Sequence, residues 1–256
     1  MLKIKKGVIA MTNNEIQLAD FIKSRCCTTP LSINERSFQI FGDEKFLNSA
    51  EGKTLLNKNH ISLHMLNVYK TPEPFIYYIN LYTNSKNALI IENKDTWYTM
   101  KRILKNYGSI CGINIRALIY GEGRKIQNSF AYMEEDDTAD IHDILTFYYF
   151  GDIDASGIDI FYKLKNTYKS YDICPFEPGY EYLYENRHLK RKKEMKNITR
   201  IPSYEIMPFK FLGDEARVEL MNLCNQDYII PQEIMNHDVL TNWNTISDYD
   251  HDLMID

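Results

Sequence analysis

FYYFGDIDASGIDIF, residues 147–161, is an apolar run that breaks at Gly151, presents Asp152 and Asp154, and then takes up helical spacing. It reads as a buried strand followed by a turn and a helix. Side chains alternate along an extended chain, so residues two apart share a side, and Asp152 and Asp154 can converge on one cation at the strand's carboxyl end. Open α/β sheets bind their ligands at that edge. Two carboxylates that close repel unless a positive charge lies between them, and a hard divalent cation with oxygen ligands is the natural candidate. Acids and glycines after a strand also serve as turn formers and helix N-caps, so Asp-x-Asp by itself leaves both readings open.

Two upstream segments extend the pattern. NALIIENKDTWYTMKRIL, residues 87–104, is a short apolar run ending in Glu92, followed by Trp97, Met100, Ile103 and Leu104 at helical spacing. NIRALIYGEGRKIQNSF, residues 114–130, is a second apolar run closed by Gly121-Glu122-Gly123, where glycine permits a tight turn or a close backbone approach to phosphate. Glu92 and Asp152 are sixty residues apart, which suits parallel strands joined by crossovers, all delivering their ends to one sheet edge. The expected architecture is an α/β domain with a parallel sheet flanked by helices.

IIENKDTW, IYGEG and FGDIDASGIDIF together resemble the Toprim domain of the Wadjet nuclease subunit family JetD, itself similar to the A subunit of topoisomerase VI. INERSFQIFGDEKFL, residues 33–47, and IIPQEIM, residues 229–235, also look like JetD sequence and occur in the expected order, so the resemblance spans residues 33–235. It implies a Toprim-type sheet in which Glu92, Asp152 and Asp154 hold magnesium or manganese and cleave DNA. It also implies action beside an SMC-type, condensin-like complex in anti-plasmid defence, in the cytoplasm. Gly121 and Gly123 match a glycine-rich turn, while Glu122 departs from the small or neutral residue expected there and is read as an additional acid near the metal or as a solvated turn residue. Gln232 and Glu233 match the terminal motif, as supports of the acidic centre or as an ordinary helix N-terminus. Lys94 and Arg124 are placed to contact phosphates. Members of the family carry large amino-terminal arm and winged-helix regions, whereas thirty-two residues precede INERSF here.

The expected division is therefore an amino-terminal helical or partial winged-helix remnant over residues 1–72 and a Toprim-like catalytic domain over 73–256. Within the remnant, NNEIQLADFIKSR predicts one helix with Ile16, Leu18, Ala19 and Ile22 as its apolar face. The shortened leader implies help with DNA positioning from a second protein or from a second copy of the chain.

The 256 residues suit one large domain or a small piece plus one core domain. No apolar run approaches membrane-spanning length, and MLKIKKGVIAMTNNE turns polar too early for a signal peptide. Cys26, Cys27, Cys111, Cys174 and Cys224 are odd in number and lack a Cys-x-x-Cys pair, which indicates neither a disulfide framework nor a zinc site.

Net charge is −5, yet ENRHLKRKKEMKNITR concentrates Arg187, Lys190, Arg191, Lys192, Lys193, Lys196 and Arg200 against Glu194 within residues 187–200. Such a cluster can neutralise phosphates and release counterions, or it can be a solvated linker. His60 and His64 are four apart and could share a helix face, without the glutamate of a zinc protease. Tyr77, Tyr78, Tyr148 and Tyr149 lie in extended apolar runs, where tyrosine fills core or interface.

The sequence thus points to a metal-dependent DNA endonuclease. The alternatives are a non-catalytic Toprim-like module that binds nucleic acid or a partner, and a small-molecule phosphohydrolase. On the nuclease reading, Asp154→Ala abolishes cleavage and leaves the fold intact.

Overall fold

The computed structural model describes residues 11–24, 29–192 and 201–243. Contacts divide the chain into two units, residues 1–71 and 72–256. No helix among the described residues is long and apolar enough to cross a membrane.

The first unit contains α1 (Asn13–Lys23), β1 (Leu31–Ser32), α2 (Ile33–Phe41), α3 (Ala50–Lys58) and β2 (Val68–Tyr69). Thr12 with Glu15, and Ser32 with Glu35, form capping boxes that satisfy the first free N–H groups of α1 and α2. Leu18, Phe21, Ile40, Phe46, Leu47, Leu55, Leu56 and Leu66 form its core. The buried face of α1 is Leu18 and Phe21, and Ile16 and Ile22 point outward, which corrects the expected face. Glu15, the capping-box acid, lies on the buried face beside Leu18 and Phe21, where Lys58 pairs with it at 2.6 Å. His60 and His64 do not share a helix face, because α3 stops at Lys58, His60 takes a left-handed φ of 55°, and His64 opens a separate turn.

The second unit begins with β3 (Ile76–Ile79), β4 (Asn87–Ile91), α4 (Lys94–Tyr107), the short hairpin β5 (Ser109–Ile110) and β6 (Ile113–Asn114), and β7 (Ala117–Tyr120). Next come the single turn α5 (Ile126–Ser129), β8 (Thr146–Phe150), α6 (Ala155–Thr167), β9 (Asp172–Pro175) and α7 (Glu177–Glu185). β10 (Arg191–Lys192), α8 (Asp214–Asn225) and β11 (Tyr228–Ile229) complete it. The main sheet has the order β3-β7-β4-β8-β9. β7, β4, β8 and β9 are parallel, and their runs of aliphatic and aromatic residues are those of strands covered on both faces. The edge strand β3 pairs antiparallel with β7, so the sheet is mostly rather than wholly parallel.

From β4 the chain moves to one side, to β7, and then crosses to β4's other side for β8 and β9. Right-handed crossovers leaving in opposite directions put α4 on one face and α5 with α6 on the other. The reversal opens a crevice at the carboxyl ends of β4 and β8, the switch point at which such sheets bind ligands.

Candidate metal centre

Glu92 emerges from β4 at this crevice, and its backbone is fixed from both sides. Its N–H donates to Phe150 O at 3.0 Å, while Gly123 N–H reaches Glu92 O at 3.3 Å. The side chain turns toward β8, where Tyr149 Oη donates to Glu92 Oε2 at 2.9 Å. Tyr149 and Tyr180 are fully buried, and burial, reinforced by the charge of Glu92, pushes both phenols well above their ordinary values. Both therefore stay protonated as donors at neutral pH.

Two glycines leave room for this carboxylate. A Cβ on Gly151 would lie 2.3 Å from Glu92 Oε2, and one on Gly157 would lie 3.3 Å from the same oxygen and 2.3 Å from Asp152 O. Neither position tolerates a side chain without moving the acid or the backbone. Gly151 N–H is satisfied by Tyr180 Oη at 3.1 Å.

The two aspartates are held differently. Ile153, between them, exchanges main-chain hydrogen bonds with Ile230 at 3.0 and 3.1 Å, which draws residues 229–235 onto the acidic loop. Asp152 Oδ1 accepts Gln232 N–H at 2.8 Å and Gln232 Nε2 at 3.4 Å. Its pKa is pushed up to about 6, chiefly by burial and further by the charges of Glu233 and Asp154, with the Gln232 donors opposing the rise. Asp154 is buried and is the N-cap of α6, accepting Gly157 N–H at 2.8 Å. It thus fills the capping role that the sequence left open beside the metal role.

Glu233 lies on the same edge, where its Oε1 accepts Asn93 Nδ2 at 2.9 Å. Asn93 directly follows Glu92, so the 229–235 segment straps the ends of both acidic strands. No sequence signal marks this bond, since an asparagine after a strand has many uses.

The expected phosphate contacts are distributed unevenly. Lys94 is exposed at the start of α4. Arg124 is engaged on α6, with Nη1 2.5 Å from Asp159 Oδ2 and Nη2 3.2 Å from Ser156 Oγ, and Lys163 shares Asp159 at 2.8 Å. In the glycine turn, Glu122 takes a left-handed φ of 52°, is exposed, and pairs with Lys125 at 2.5 Å. A Cβ on Gly121 would lie 3.2 Å from Ile91 O, so this glycine serves close strand packing. In the basic run, Arg191 and Lys192 are exposed on β10, Lys190 Nζ sits 5.7 Å from the Tyr228 ring centre, and Arg187 pairs with Glu219 at 2.8 Å. Lys193, Lys196 and Arg200 lie outside the described residues, as do Cys26 and Cys27.

Among the described residues, no three histidine, cysteine, aspartate or glutamate side chains are gathered closely enough to hold a metal ion. Asp152 and Asp154 each face a backbone donor, and Glu92 faces a phenol. The donor chemistry nonetheless fits a hard divalent cation, because all three acids supply oxygen at one switch point and the burial and neighbouring acids that raise Asp152 are what a cation beside it would offset. A surface concavity of about 500 Å³ lies elsewhere, along α8, lined by Asp214, Glu215, Val218, Glu219, Asn222 and Leu223.

No curated protein matches the chain. Residues 50–176, a stretch that takes in Glu92, the glycine turn and both aspartates, match the protein family described as Wadjet protein JetD, C-terminal, and the chain therefore carries a JetD-related domain.

Proposed function

We propose that the second unit is a Toprim-type nuclease domain of the JetD kind, hydrolysing DNA phosphodiesters with magnesium or manganese. The observation that carries this reading is the delivery of Glu92, Asp152 and Asp154 by two adjacent parallel strands to the switch point of a sheet within the JetD-related stretch. Glu92, Asp152 and Asp154 would hold the cation, which supplies Lewis-acid polarisation of the phosphate and a more acidic water. Tyr149 and Tyr180 hold Glu92 and the Gly151 backbone in place and shield the crevice floor from water. Gln232 keeps one oxygen of Asp152 occupied and so orients the other. The family description further supports a role in anti-plasmid defence beside an SMC-type complex; that role is proposed to lie in the cytoplasm, with a second copy of the chain or another protein positioning the DNA.

A second reading is a Toprim-like module that binds DNA or a partner without cutting. What favours it is that the three carboxylates are not gathered on one point. Supercoiled plasmid incubated with the purified protein and magnesium, manganese or EDTA separates the two. Nicking that needs the cation and is lost in Glu92→Gln supports the nuclease. DNA retained on the protein, uncut in every condition and with every partner added, supports the module.

A further inference from the structure

The outer face of α4 carries a stripe that no part of the acidic centre uses. Lys94, Tyr98, Lys101 and Lys105 recur at spacings of four, three and four, which sets them in one line along the helix, with Arg102 beside it. The single acid of the helix is Asp95 in its first turn. Lys94, Arg102 and Lys105 are exposed, and among the described residues none of the four basic side chains pairs with an acid.

The stripe is also pre-organised. Trp97 is buried beneath it and anchored by its indole N–H to Leu118 O at 3.1 Å. Tyr98 stands edge-on against Trp97, with centroids 5.1 Å apart and planes at 86°, and remains 56% exposed. Lys101 Nζ lies 4.7 Å from the Trp97 ring centre, 5.3 Å from Tyr78 and 5.9 Å from Tyr98, and Lys105 Nζ lies 5.4 Å from Tyr78. Ring faces hold the ammonium groups without neutralising them. Fixed, unneutralised cations beside a rigid exposed aromatic are what a polynucleotide strand needs: charge for its phosphates and a flat surface for a base.

We propose that this face of α4 is a track for a DNA strand, running from the acidic edge at Lys94 to Lys105, with Tyr98 as a stacking surface for an unpaired base. The eleven steps from Lys94 to Lys105 span about 16 Å, or about five nucleotides at the 3.4 Å of a stacked strand. Because α4 starts two residues after Glu92, a strand on the track has one end at the crevice. Only the choice of DNA among polyanions rests on the nuclease reading.

Anisotropy titrations with labelled single-stranded and duplex oligonucleotides, in EDTA so that nothing is cut, test the track. Lys101→Gln, Arg102→Gln and Lys105→Gln combined should weaken single-strand binding at least tenfold at low salt and reduce the slope of log affinity against log salt by about two. Tyr98→Ala should weaken the single strand more than the duplex. The matched loss of charge at Lys190, Arg191 and Lys192 should have the smaller effect. Binding within twofold of wild type for the α4 triple variant, an equal loss from the β10 variant, or no binding by the wild-type protein would overturn the proposal. A wild-type protein that binds through α4 yet never cuts with metal would instead sink the nuclease reading alone.

Discussion

Asp152 Oδ1 accepts the main-chain N–H of Gln232 at 2.8 Å, joining positions eighty residues apart in the chain. A main-chain donor cannot be removed by a side-chain substitution, so the carboxylate keeps this partner in any variant that preserves the strap. The donor favours the ionised acid while burial opposes it, and burial wins.

The pH dependence of stability follows from that balance. With Asp152 at about 6 in the folded protein and near 3.8 when unfolded, the folded state binds the extra proton between these values, so stability falls as pH rises through them. Above about pH 6 the full cost is present, on the order of 1–2 kcal/mol once partial exposure to water is allowed for. Asp152→Asn keeps an acceptor for Gln232 and cannot ionise, so its melting temperature should exceed that of the wild type at about pH 8 and approach it at about pH 4. An offset identical at both pH values would show that Asp152 is not held above its ordinary range.

Tyr149→Phe removes a buried donor to Glu92 and should cost about 1–3 kcal/mol in urea unfolding. In a double-mutant cycle, Glu92→Gln and Tyr149→Phe should couple by about 1 kcal/mol or more. Strict additivity would mean that the phenol does not hold the acid.

Gly157 sits inside α6, where alanine ordinarily gains about 1 kcal/mol over glycine. Here the added Cβ would meet the Asp152 carbonyl oxygen at 2.3 Å, a backbone atom that the Ile153 and Ile230 pairing keeps from retreating. Gly157→Ala should therefore destabilise by roughly 2 kcal/mol or more, and a variant that melts at or above the wild-type temperature would contradict the geometry.

Asp154 cannot be tested cleanly with alanine. Since its carboxylate caps α6, Asp154→Ala should lose about 0.5–2 kcal/mol of stability together with any activity, against the expectation of an intact fold. Asn caps as well as Asp, so Asp154→Asn should melt within about 0.5 kcal/mol of wild type. If the nuclease reading holds, it should still lose metal-dependent cleavage. Full cleavage by Asp154→Asn would remove this acid from the metal site.

What could be read from the sequence was what is local. Apolar runs ending in Glu92, in Gly121 and in Gly151-Asp152 gave three strands of the sheet and the edge they share, because burial on both faces leaves an uninterrupted signal. β3 lacked that signal: as an antiparallel edge strand it exposes Ile76, and IYYI reads equally as core or surface. The face of α1 was misread because two apolar stripes compete on it, and a single ion pair between Glu15 and Lys58, forty-three residues apart, accompanies the one that wins. The holding of Glu92 by Tyr149 was hidden for a different reason: a tyrosine within an aromatic strand looks like filling, and only the loss of side chains at Gly151 and Gly157 lets its hydroxyl and the acid meet.

The strap that joins Ile230 and Gln232 to the acidic loop also sets when the centre comes into being during synthesis. At about 5–20 residues per second, the eighty residues from Asp152 to Gln232 take about 4–16 s to translate. For that interval a nascent chain carries the acidic loop without the segment that holds Asp152. Whatever chemistry the acidic edge supports therefore waits until residues 229–235 have been made and have folded back onto the loop that follows β8.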